Sequence, residues 1–198
     1  MTLILLMRHG ESEANKKHIL SDELNKYNLT NKGIIQAKKA GSELKKIKIQ
    51  KIFCSPVLRT IQTADLVNKK LKLEKTIDKK LIERRFKSMS GIYVKDASWK
   101  LLFENKIESY KNVKNRISNF MFSKSNYDCI LGVTHHDVIT AAMSYASNLD
   151  SLCSYAFRPT YASISGFLVD KKTIKPIFFG VPFLSKNILN KIPEQYLV

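Results

Sequence analysis

Residues 2–7, "TLILLM", form an unbroken apolar run, and the chain turns polar at once in "RHGESEAN", residues 8–15. A strand with one wet face alternates polar and apolar residues, whereas a strand without alternation is covered on both faces. The run therefore predicts an inner strand of a parallel sheet with helices on either side. "YDCILGVTH" (127–135) repeats the pattern, and "KIFCS" (51–55) is a shorter version of it. Helical spacing of apolar residues predicts helices over 29–47, 57–71, 106–122 and 137–147. Thr30 or Asn31 is the start signal of the first, and Pro56 opens the second. "YASISGFLVD" (161–170) and "IKPIFFG" (174–180) read as a closing hairpin around Lys171–Lys172. Alternating strands and helices define an α/β fold with a mainly parallel central sheet. The 198 residues carry no repeat, low-complexity tract or linker, so the expectation is one domain over 1–198.

Charge bears on the partner. The formal net charge is +17, and only six of the 34 basic residues are arginine. A/T-rich coding bias that fills solvent faces with lysine is the favoured reading, and attraction of an anionic substrate is the functional one. Zinc-finger spacing, basic repeats and aromatic ribonucleoprotein motifs are all missing, so no specific nucleic-acid partner is expected. No apolar run approaches the roughly 20 residues of a membrane span. "MTLILLM" lacks the flanks of a signal peptide, so a cytoplasmic location is expected. Cys54, Cys129 and Cys153 are dispersed, without metal-ligand spacing, as reduced thiols would be.

In open α/β sheets, ligands bind at the carboxyl ends of the strands. Arg8 and His9 follow the first strand, and Arg59 follows "KIFCS". Glu83 follows a short strand candidate near 76–78, and His135 ends "CILGVTH". A parallel sheet brings these ends to one edge. Two guanidinium groups suit a phosphoryl group, whose oxygens accept paired N–H donors. A neutral imidazole is a nucleophile near pH 7. A second histidine, if cationic, adds positive charge, and a glutamate can protonate a leaving oxygen. Such a set needs no metal and no cofactor.

Six blocks resemble, in order, those of the histidine phosphatase superfamily, the phosphoglycerate mutase-like proteins. They are "RHGESEAN" (8–15), "LTNKGIIQA" (29–37), "SPVLRTIQTA" (55–64), "LIERRFKSMSG" (81–91), "ESYKNVKNRISNF" (108–120) and "VTHHDVI" (133–139). The resemblance implies a three-layer α/β/α sandwich. It implies that His9 is the nucleophile that becomes phosphohistidine and Glu83 the proton donor. Arg8, Asn15, Arg59 and His135 would then bind phosphate. Four departures bear on specificity. His136 and Lys87 stand where glycine is common, Tyr161 stands where asparagine is frequent, and "FFGVPFL" (178–184) lacks the polar residues of many small phosphatases.

The expected activity is metal-independent hydrolysis of a small, anionic phosphomonoester through phosphohistidine. A phosphoglycerate mutase is the first alternative, since "ERRF" (83–86) resembles the mutase pattern. A mutase needs extra basic groups to hold a bisphosphate, and 92–107 is short and lacks paired arginines. A non-catalytic binding module is the second, although such proteins usually lose the nucleophile or the acid. The natural substrate and the oligomeric state stay open. The stretches 86–107 and 153–184 are expected to line the entrance and select the substrate.

Overall fold

The computed structural model describes residues 1–97, 107–150 and 156–198. The opening apolar run forms β1 (Thr2–Arg8), whose side chains are buried from Thr2 to Met7. Parallel to it lies β4 (Cys129–Thr134), followed outward by β2 (Lys51–Cys54) and β3 (Lys75–Ile77), also parallel. On the other side of β1, β5 (Ile164–Val169) and β6 (Ile174–Val181) complete the sheet as an antiparallel hairpin. The strand order is β3-β2-β4-β1-β5-β6. Asp170 shapes the hairpin turn by accepting from the backbone N–H groups of Lys172 and Thr173, each at 2.8 Å.

Period-two alternation splits β1 between two cores. Leu3, Leu5 and Met7 pack with Ala40, Leu44, Ala64 and Val67. These helical residues belong to α2 (Asn31–Leu44) and α3 (Leu58–Leu71). Ile4 and Leu6 pack on the opposite face with Val113, Ile117, Phe120 and Val138, from α4 (Tyr110–Phe122) and α5 (His136–Ala146). The result is three layers. A buried leucine or isoleucine side chain contributes about 1.5–3 kcal/mol, so every residue of the run works for one core or the other.

Helix boundaries follow the caps. Thr30 caps α2, its hydroxyl accepting from Gly33 N–H at 3.1 Å. The helix predicted over 106–122 begins at Tyr110, because Ser109 caps it by accepting from Asn112 N–H at 3.2 Å; residue 106 lies outside the described residues. Pro56 stands just outside α3, whose cap position is Val57. Cys54 and Cys129 are core residues, and burial pushes their thiols up to about 11 and about 12. Cys153 lies outside the described residues, as do parts of the expected entrance stretches. No helix among the described residues is long and apolar enough to cross a membrane.

Candidate active site

Arg8 ends β1, and the loop after it docks against the start of α2. A Cβ on Gly10 would lie 2.4 Å from the Gly33 carbonyl oxygen, and one on Gly33 would lie 2.0 Å from the Glu11 carbonyl oxygen. Only glycine at both positions allows these backbones to meet. Hydrogen bonds fix the contact. Gly10 N–H donates to Thr63 Oγ1 at 3.1 Å, Glu11 N–H to Gln36 Oε1 at 2.9 Å, and Thr30 Oγ1 to Glu11 Oε1 at 2.9 Å. Thus Glu11, Thr30, Gly33, Gln36 and Thr63 hold the loop that carries His9.

His9 is 2 % exposed. Its Nδ1 lies 2.7 Å from the Gly10 carbonyl oxygen, which can only accept, so Nδ1 carries the proton. Nε2 is therefore unprotonated, and its lone pair accepts from Arg59 Nε at 3.2 Å. Burial first, then the Arg59 and Arg8 charges, hold the imidazole well below its usual value, so it is neutral at pH 7.

Arg59, in the first turn of α3, is 3 % exposed. Its Nη2 donates to the Ser21 carbonyl at 2.8 Å and faces His135 Nδ1 at 3.3 Å. His135 Nδ1 therefore accepts, and Nε2 donates to Ser55 Oγ at 2.9 Å. Burial and the neighbouring Arg59 hold His135 well below the usual histidine range. The cationic second histidine allowed for by the sequence is thus neutral here, and the arginines carry the charge. Arg8 Nη1 donates to the Pro159 carbonyl at 2.8 Å. Arg8 Nε and Arg59 Nη1 are buried donors with no partner among the described residues. Such donors are costly in a folded protein unless a ligand satisfies them.

Glu83 is 7 % exposed and accepts from Arg84 N–H at 2.9 Å. Burial, and after it the Asp137 carboxylate, pushes its pKa up to about 7. Its backbone is held by Arg116, which donates to the Glu83 carbonyl at 3.1 Å and grips Glu108 through Nε and Nη2 at 2.9 and 3.0 Å. The "ESYKNVKNR" block therefore holds the backbone of Glu83 rather than lining the cavity. Arg8, His9, Asn15, Arg59, Glu83 and His136 line one cavity of about 440 Å³. His135 stands behind it, with ring centroids 5.2 Å from His9 and with Nδ1 3.8 Å from Glu83 Oε2.

The family model of the histidine phosphatase superfamily (branch 1) matches residues 4–177. The chain belongs to this superfamily. A 2,3-bisphosphoglycerate-dependent phosphoglycerate mutase of Thermoplasma acidophilum is 30 % identical over 174 residues, covering 83 % of this chain and 86 % of the relative. An α-ribazole phosphatase of Shigella flexneri superposes with TM-score 0.79 at 20 % identity, over 93 % of this chain and 98 % of its own. A phosphoserine phosphatase of Entamoeba histolytica, solved with 3-phosphoglyceric acid, gives TM-score 0.76 at 20 % identity, over 90 % and 96 % of the two chains. Family and relatives support a phosphatase or mutase enzyme.

Within this histidine phosphatase frame, all six residues singled out from the sequence meet at the carboxyl edge of the sheet. Asn15 does a second job: its Oδ1 accepts from Ser12 N–H at 3.0 Å and from Ser12 Oγ at 2.8 Å, capping the short α1 (Glu13–Lys16). Only its amide N–H₂ is left for a ligand. Ser55, Asp137 and the Pro159 carbonyl were not foreseen. Asp137 lies 3.0 Å from His136 Nδ1. Burial opposes its ionisation, but that hydrogen bond, the His136 charge and then Arg84 hold its carboxyl below the usual range. "HHD" (135–137) carried a signal for it, since a carboxylate directly follows two histidines.

Proposed function

We propose that this protein hydrolyses a small, anionic phosphomonoester through a phosphohistidine on His9. The observation that carries the reading is the pairing of orphaned donors with a ready nucleophile. Arg8 and Arg59, each with a buried N–H that has no partner among the described residues, line the same cavity as His9, whose unprotonated nitrogen is Nε2. Phosphoryl oxygens satisfy such donors and place phosphorus within reach of the nitrogen. Nε2 attacks, the ester P–O bond breaks, and Glu83 gives its proton to the departing oxygen. Glu83, now ionised, takes a proton from water as the hydroxide attacks phosphorus. The P–N bond breaks and both side chains return to their starting forms. The Nδ1–H···Gly10 bond steadies the positive charge that the ring gains as phosphohistidine. Asn15 contributes its amide N–H₂ to the phosphoryl group, and His135 orients Arg59.

Transfer to a second hydroxyl instead of water is the mutase reading, kept because of the 30 % identical Thermoplasma mutase. The first turnover is common to both. Rapid quenching with radiolabelled phosphomonoester should trap acid-labile, base-stable label on His9, and His9→Ala should remove label and turnover together. Label on serine or aspartate would overturn the proposal. Release of inorganic phosphate, against isomerisation of 3-phosphoglycerate primed with 2,3-bisphosphoglycerate, separates hydrolase from mutase.

A further inference from the structure

Arg8 carries much of the proposed phosphate binding, and the way it is held bears on that role. Its guanidinium lies over the ring of Tyr161, 4.1 Å from the centroid. Tyr161 occupies a tight turn whose next residue, Ala162, has φ +58° although it is not glycine. A left-handed alanine is a strained choice that surrounding contacts must enforce. Here they do. Ala162 N–H donates to the His9 carbonyl at 3.2 Å, and Arg8 N–H donates to the Ser163 carbonyl at 3.1 Å. Ser163 Oγ closes the turn on the Thr160 carbonyl at 2.7 Å. Residues 159–163 are thus bonded to the backbone of the Arg8–His9 pair on both sides. The same turn supplies the Pro159 carbonyl that takes Arg8 Nη1.

An arginine that must hold phosphate presents a conflict. Each hydrogen bond that fixes its side chain removes a donor from the ligand. An aromatic face avoids the conflict, because the ring's negative quadrupole attracts the cation without consuming an N–H. Asparagine at 161 would have no such face.

We propose that Tyr161 is a positioning residue that acts through Arg8. Its ring, delivered by the strained turn at Ala162, fixes the guanidinium plane so that the buried Nε stays free for a phosphoryl oxygen. The inference rests on the phosphatase reading for its role in turnover, but it can be tested on phosphate binding alone.

The test is a double-mutant cycle on Arg8 and Tyr161, read as the dissociation constant of inorganic phosphate by calorimetry and as kcat/KM on p-nitrophenyl phosphate. Tyr161→Leu should weaken phosphate binding by about 10–30-fold, and Tyr161→Phe, which keeps the face and loses the hydroxyl, by less than about threefold. In an Arg8→Ala background, Tyr161→Leu should add less than about twofold, because the group it positions is gone. A purely structural role would give the same loss in both backgrounds, and that result would overturn the proposal. Loss in Tyr161→Phe as large as in Tyr161→Leu would overturn it too, by assigning the effect to the hydroxyl. Should Tyr161→Leu not fold, Tyr161→Asn carries the same cycle. Intact coupling in phosphate binding with no ester hydrolysed would refute the phosphatase reading and uphold the positioning role.

Discussion

Replacing Glu83 by glutamine tests the acid without changing its shape. A carboxyl at the ordinary 4.5 would hold a proton in only about one molecule in 300 at pH 7. Pushed up to about 7, it holds one in about half. The buried site and the neighbouring Asp137 therefore multiply the acid form by on the order of 150-fold at neutral pH. Glutamine keeps a hydrogen-bond donor but cannot release a proton. For an alkyl phosphate, whose leaving alkoxide is strongly basic, Glu83→Gln should lower kcat/KM by about 10²–10⁴-fold. For p-nitrophenyl phosphate, whose leaving phenolate needs no proton, the first step should be nearly spared. Slow attack of water on phosphohistidine then shows as a burst of nitrophenol. The assay is kcat/KM for both esters from pH 5 to 9 at fixed ionic strength. Wild-type activity on the alkyl ester should fall above pH about 7 and persist below the usual histidine range, because His9 stays neutral there. The fall above pH 7 should vanish in Glu83→Gln. The sign for stability is the reverse of that for activity. The folded value lies above the unfolded one, so the cost of burying Glu83 is absent below pH about 4.5 and complete above about 7. Glu83→Gln should therefore raise Tm relative to wild type at pH 8 and not at pH 4. A basic limb that survives in the variant, or equal losses on both esters without a burst, would refute the reasoning and turn the search for the acid to His136.

Three further outcomes can be checked directly. If Arg8 and Arg59 supply the positive charge at the phosphoryl group, EDTA should leave kcat/KM within about twofold; a loss above about tenfold restored by Mg²⁺ would contradict this, being roughly 1.4 kcal/mol of transition-state stabilisation. If the net charge of +17 steers substrate, kcat/KM for a multiply charged phosphate should drop steeply as salt rises while kcat holds, and a flat response would return the lysines to coding bias. Lys87 is exposed with φ +53°, so Lys87→Gly should stabilise the fold by about 1 kcal/mol, seen as a Tm rise of about 2–4 °C.

That last substitution shows what a sequence can disclose. Lys87 stood out only as a non-glycine in a glycine position, and the structure supplies the reason in its left-handed backbone. The β1 run, the strand ends and the cap of α2 were legible because they follow from local period and chemistry: Leu3 and Ile4 must face opposite ways, and Thr30 can cap. Arg8, His9, Arg59 and His135 were legible as candidates because each ends or closely follows a buried strand, whereas Asn15 was carried by the resemblance of its block. Their states were not legible. Nothing in "VTHHD" says that His135 is neutral, since that follows from Arg59 and Ser55, 76 and 80 residues away in the chain. Nor does "RHGESEAN" say that Gly10 meets Gly33, a contact between two blocks that read separately as a loop and a helix start. The fate of Tyr161 was equally hidden, because a turn is needed to carry its ring to Arg8.

The protonation states form one consistent design. Burial penalises the charged form of five groups at the site: it depresses His9 and His135, raises Glu83, and lowers Arg8 and Arg59 from their usual values. The guanidinium groups stay charged because their ordinary values lie so high. Their field then adds to the depression of His9 and His135. Arg8 and Arg59 are thus cations, His9 and His135 neutral imidazoles, and Glu83 a carboxyl protonated in about half of the molecules at pH 7. A phosphoryl dianion reverses that field. On the proposed mechanism it would offset the two guanidinium charges, so His9 could become cationic as phosphohistidine without meeting unscreened positive charge. On the proposed mechanism Glu83 would give up its proton to the leaving oxygen, and its new charge would then favour taking one from water. Arg59→Ala should accordingly do more than weaken phosphate binding. By removing the largest charge acting on His9, it should raise the pH at which the acid limb of kcat/KM appears. Arg59→Lys should restore most of that limb's position while recovering less of the affinity, because an ammonium keeps the charge but not the paired donors.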